Sequence, residues 1–179
     1  MADIDDFATS LLEEAKRFFE KANEGRDIVR RDANLHAALM LAFCSLEAHV
    51  NAIAEEFCSR PELTPHDKGI LLEREVKLED GEFTLGGFRM YRLEDRILFL
   101  HRQFSGKRLD KSVAWWPQLK LAMDNRNKLT HPKGVHPVTV ENVRDALAAV
   151  IASLDALYMA IYKKGFPAAG LALQSVLTF

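Results

Sequence analysis

The chain is short of cysteine, nearly balanced in charge, and without any long uninterrupted apolar run. Each shortage excludes something. Cys44 and Cys58 are its two cysteines, and the periodicity around them puts both on one helix. A helical rise over that spacing separates them by about 21 Å, so they cannot bond within one chain. A disulfide-stapled scaffold is therefore not expected. A net charge of −2 gives no general attraction to nucleic acid, so any such contact must come from a local patch. The opening "MADIDDFATS" is acidic and polar, unlike the charged-then-apolar order of a signal peptide. The apolar stretches read as too short, or too interrupted by polar residues, to span a bilayer. Repeats and low-complexity tracts are lacking too. Together these point to a reducing, cytoplasmic location and no membrane.

What is present is helical periodicity. The 179 residues suffice for a single domain with a real core, residues 1–179. Phe7, Leu11, Ala15 and Phe18 repeat at helical spacing from Asp3 to about Glu24, where Gly25 stops the run. Asp32 reads as the N-cap of a second helix reaching about Ser59. Its stripe is Leu35, Leu39, Phe43, Leu46, Val50, Ile53 and Phe57, with alanines around the rest. A helix so apolar all round belongs at the centre. "RPELTP" breaks it, and Thr64 with Pro65 opens a short helix. "VKLEDGEFTL" alternates about Asp80-Gly81, a signal for a small β-hairpin around residues 76–85. Helices are expected again over Leu93–Phe104, Ser112–Thr130 and Val140–Lys164, followed by an apolar tail, residues 166–179, that packs on the bundle or on a partner. The class expected is all-α.

Charge chemistry concentrates in "RNKLTHPKG", residues 126–134. An arginine followed at four to six residues by a histidine is uninformative alone, because such pairs also begin at Arg30, Arg31, Arg60 and Arg96. Position discriminates. At about 100° per residue, Trp115, Leu119, Ala122 and Leu129 all lie within roughly 60° of Arg126. Arg126 thus sits in an apolar stripe, where an unpaired guanidinium would cost several kcal/mol and needs an acidic partner or an anion. His131 stands at the helix end, because Pro132 disfavours α conformation before it. Asn127, one turn earlier, is placed to orient the imidazole. Glu47, on the edge of the central stripe, is the candidate partner of Arg126; the alternative is an ordinary, partly exposed glutamate. Equally open is a structural reading, with a C-terminal histidine favoured by the helix dipole and an arginine merely ion-paired. Metal binding through His49, His131 and His136 lacks ligand spacing, so no metal and no cofactor are expected. Lys128 and Lys133, with Lys107, Arg108 and Lys111, form a candidate basic rim.

With Arg126, Asn127 and His131 in "RNKLTHP" and the early-helix segment "SLEAHVNAIA", the chain resembles the HEPN domain family over roughly residues 3–165. That resemblance implies a five-helix bundle, with residues 62–110 as an insert. It also implies a metal-independent endoribonuclease of toxin–antitoxin or phage-defence type, working as a homodimer whose motifs meet across the two-fold axis. Arg126, His131 and Asn127 would be catalytic, Glu47 supporting, and Lys128 and Lys133 RNA-binding. The products would be 2′,3′-cyclic phosphate ends. An antitoxin or a nucleotidyltransferase-like protein would be a natural partner. Some members of the family have lost catalysis and act as binding or regulatory modules, which is the rival expectation.

Overall fold

The computed structural model describes residues 4–24 and 27–179. It is mostly helical, with one two-stranded antiparallel sheet. The order is α1 (Ile4–Asn23), α2 (Ile28–Phe57), α3 (Pro65–Leu71), β1 (Arg74–Glu79), β2 (Glu82–Phe88), α4 (Leu93–Ser105), α5 (Trp115–Thr130) and α6 (Val140–Tyr162), then a 3-10 turn over Pro167–Leu171. The expected start of the first helix at Asp3 and its stop at Gly25 lie outside the described residues.

Helix α2 is the axis of the fold, and every residue of its expected stripe is buried. Leu12, Ala15 and Phe19 of α1, Leu119 and Ala122 of α5, and Val143, Leu147, Val150 and Leu154 of α6 join that core. Both α2 and α6 are long and apolar enough to cross a membrane by length and composition alone, contrary to the expectation of interrupted stretches. Central bundle helices meet the same test, because neighbours rather than lipid cover their apolar circumference.

Helix starts depend on which polar side chain captures the first free amides. Helix α2 begins five residues earlier than expected. Asp27 is its N-cap, and its carboxylate accepts from the amides of Val29 and Arg30. Asp32 is an ordinary residue inside the helix. Helix α5 begins later than Ser112. Ser112 donates both its amide and its hydroxyl to Asp110, which holds it in a local turn ahead of the helix. Thr64 and Thr139 do cap α3 and α6, each in a reciprocal box with Asp67 and Asn142.

The hairpin forms where expected and is longer, over residues 74–88. Asp80 and Gly81 both take positive φ (50° and 86°), the requirement of a type I′ turn. Leu78 pairs with Phe83, Val76 with Leu85, and a bulge falls between Arg74 and Val76. At the other end of the chain the apolar tail returns along α1. Ser175 donates to the Glu13 carbonyl, the Val176 amide to the Glu13 carboxylate, and Arg17 Nε to the Phe179 carbonyl at 2.8 Å.

Candidate functional site

Helix α5 is held beside α2 by its buried face of Trp116, Leu119 and Ala122. One turn beyond Ala122, Arg126 reaches the flank of α2. Its Nη2 donates to Glu47 Oε1 at 2.7 Å, and its guanidinium lies 5.3 Å from the centroid of the Phe43 ring. Phe43 and Glu47 are one turn apart on α2, so a single stretch of helix supplies both the π face and the carboxylate. Arg126 is largely but not wholly covered, with 23% of its side chain exposed, and its Nε has no partner among the described residues. Glu47 is 45% exposed, so the paired carboxylate is a wet one, not the buried anion considered from the sequence. Cys44 is on this flank as well. Its thiol is pushed up by desolvation and then by Glu47, against an opposing pull from Arg126, so it is no activated nucleophile.

His131 is the C-cap of α5. Its amide donates to the Asn127 carbonyl at 2.9 Å, and its backbone (φ −129°, ψ 62°) has left the helix, as the following proline requires. The imidazole is exposed, and so is the Asn127 side chain. Among the described residues, no hydrogen bond joins the Asn127 amide to His131. The expected orienting contact is therefore absent within one chain. The residues i and i+5 on a helix also diverge by about 140°, so Arg126 and His131 share a helix end without converging. Lys128 and Lys133 are exposed beside them, and Lys107, Arg108 and Lys111 are exposed on the loop before α5. Lys111 Nζ sits 5.3 Å from the Trp116 ring centroid.

Arg96, which begins another of the arginine–histidine spacings, is more deeply buried than Arg126, at 5% exposure. Its Nη1 donates to Glu73 Oε2 at 3.2 Å and its Nη2 to the Leu71 carbonyl at 2.9 Å. Burial lowers its pKa; Glu73, then Glu47, act the other way, so the field of Glu47 reaches both arginines. No local pattern could have found this, because Glu73 is held in the left-handed region (φ 52°), where its carboxylate turns back on α4. His49, weighed above only as a metal ligand, is fully buried. Its Nδ1 is 3.1 Å from Asp5 Oδ1, and its ring meets Tyr158 and Phe166 edge to face. Among the described residues no group of three His, Cys, Asp or Glu side chains has a metal-holding arrangement.

An open groove of about 790 Å³ lies elsewhere, between α1 and the tail, lined by Phe19, Glu20, Asn23, Glu24 and residues 170–174. No basic side chain lines it, so it offers nothing to a phosphate. The class that fold and site define is a helical bundle carrying a paired arginine and an open histidine at one helix end. Comparison with family models, with curated proteins and with solved structures returned no match.

Proposed function

We propose that this chain is a metal-independent endoribonuclease of HEPN-like, five-helix type, active as a homodimer in the cytoplasm. The observation that carries the reading is Arg126 itself. A guanidinium stacked on Phe43 and tied to one half-exposed carboxylate is pre-aimed yet releasable, because a phosphate can displace or share Glu47. Helices α1, α2, α5 and α6 lie outside residues 62–110, so the fifth helix of such a bundle is α4, carried by that segment itself.

In this mechanism Arg126 grips the scissile phosphate and offsets charge developing on its oxygens. His131 moves the proton, taking it from the ribose 2′-hydroxyl or giving it to the departing 5′-oxygen, for a gain of roughly 10²–10⁴-fold. One chain offers one such imidazole, and Arg126 does not converge on it. A two-fold dimer supplies the missing partner, with His131 of the second copy opposite the first and Asn127 steadying phosphate or imidazole. Lys128 and Lys133 hold the flanking backbone. An antitoxin or nucleotidyltransferase-like protein is the corresponding regulatory partner.

Cleavage of RNA by the purified protein in EDTA, with 2′,3′-cyclic phosphate ends and with DNA left intact, is the expected result. Activity that disappears with chelator and returns with a divalent ion sinks this mechanism. A second reading rests on the same contact: Glu47 already neutralises Arg126, which suits a non-catalytic binding or regulatory module. RNA binding without cleavage under all these conditions selects that module.

A further inference from the structure

We propose that the free edge of β1 is a docking surface for a second copy of this chain, joined Leu78 to Leu78 in a four-stranded antiparallel sheet. The inference is independent of the ribonuclease reading and concerns a different face of the molecule.

The hairpin is an arm with a fixed base and an uncovered end. Glu73 clamps the base: its carbonyl accepts from the Arg89 amide at 2.8 Å, its carboxylate from the Tyr91 amide and from Arg96. Helix α3 is seated tightly beneath, since a Cβ on Gly69 would stand 2.8 Å from Val76 Cγ2 and 2.9 Å from the Arg74 carbonyl. Toward the turn the cover ends. Leu78 is 66% exposed and its cross-strand partner Phe83 54%. A rigid arm loses little freedom when it docks.

The backbone specifies the register. With a two-residue turn, Glu79–Glu82 and Lys77–Thr84 are the hydrogen-bonded pairs of the ladder, so Leu78 turns its N–H and C=O outward. A two-fold axis perpendicular to the sheet pairs residues on the same face, which leaves three registers to weigh. Centring on Lys77 opposes Lys77 to itself and Glu75 to Glu79, stacking like charges. Centring on Val76 buries the contact against α3, where Val76 is already half covered. Centring on Leu78 lets its outward N–H and C=O bond their own copies and sets Lys77 opposite the partner's Glu79 twice. The same register lines up Phe83, Leu78 and their two copies as one apolar strip on the other face. The Val76 register would also oppose Lys77 to an acid, Glu75, so it is the exposure of Leu78 and Phe83, against the cover on Val76, that selects the Leu78 register.

The test uses the full chain with Cys44→Ser and Cys58→Ser. Under mild oxidation at micromolar concentration, Leu78→Cys should trap a covalent dimer, because facing hydrogen-bonded residues have Cα atoms about 5.5 Å apart, within disulfide reach. Glu82→Cys, on the far strand, should not. In sedimentation, Lys77→Glu should lower the assembly mass and Lys77→Glu with Glu79→Lys should restore it. No trapping at residue 78, equal trapping at residue 82, or a mass indifferent to the charge swap overturns the proposal. Neither readout involves RNA, so loss of the ribonuclease reading leaves the outcome untouched.

Discussion

Arg126 and Arg96 answer the cost of covering a guanidinium in different ways. Arg126 keeps one edge in water and one exposed carboxylate, an arrangement worth about 0–1 kcal/mol for the pair, plus about 0.5–1 for the Phe43 face. Arg96 is enclosed, and removing one partner leaves an uncompensated charge, which costs about 3–5 kcal/mol in such settings. Urea melts should therefore rank Arg96→Ala as clearly more destabilising than Arg126→Ala. The opposite ranking would show that Arg126, not Arg96, is the structural arginine. For activity the order reverses. Arg126→Ala and His131→Ala should each abolish RNA cleavage while circular dichroism remains native, and wild-type cleavage rates in both would remove them from the site. Glu47→Gln keeps the shape but drops the charge that competes with a phosphate. RNA should bind it more tightly at a given salt concentration, and weaker binding would make Glu47 a supporting group for Arg126 instead.

At the scale of an element, two aspartates compete to start α2 and only one caps it. Asp27→Ala should cost about 1 kcal/mol in a denaturant melt, because two amides lose their acceptor. Asp32→Ala should stay within about 0.5 kcal/mol of wild type, as a surface helix substitution does. Equal losses would mean that α2 frays back to the later start. Helix α5 illustrates the complementary case. Its C-terminus is legible from His131-Pro132, whereas its N-terminus depends on Asp110 reaching Ser112, a turn that helical periodicity does not register.

For the whole molecule, α1, α2, α6 and the tail converge on His49. Burial holds its pKa below the ordinary 6.5, overriding the opposite pull of Asp5. Facing it are Asp5 from α1, Tyr158 from α6 and Phe166 from the chain beyond α6. The sign follows from linkage. The unfolded chain takes up the proton first, so stability is whole above the unfolded pKa and is lost as pH falls toward the lower folded value. The melting temperature should decline as pH drops below about 6.5, and His49→Gln should flatten that part of the decline. An unchanged slope in the variant would mean that other groups dominate acid sensitivity.

Local sequence signals determined much of this chain: the helices, α2 at the centre, the two-residue hairpin turn and the helix end at His131. These rest on interactions within a few residues, on repeat spacing, and on the conformational limits of proline, glycine and aspartate. Glu47 was legible as a partner because it stands at the margin of a stripe that must face other helices. Tertiary structure decided the rest. The exposure of Glu47, the burial of His49 and Arg96, and the clamp made by Glu73 all depend on which distant segment lies across each side chain. Glu73 and Arg96 are 23 residues apart and Asp5 and His49 are 44 apart. A one-dimensional pattern records which face of a helix is apolar. Whether a polar group at its edge meets water or another chain segment is settled only when the helices pack.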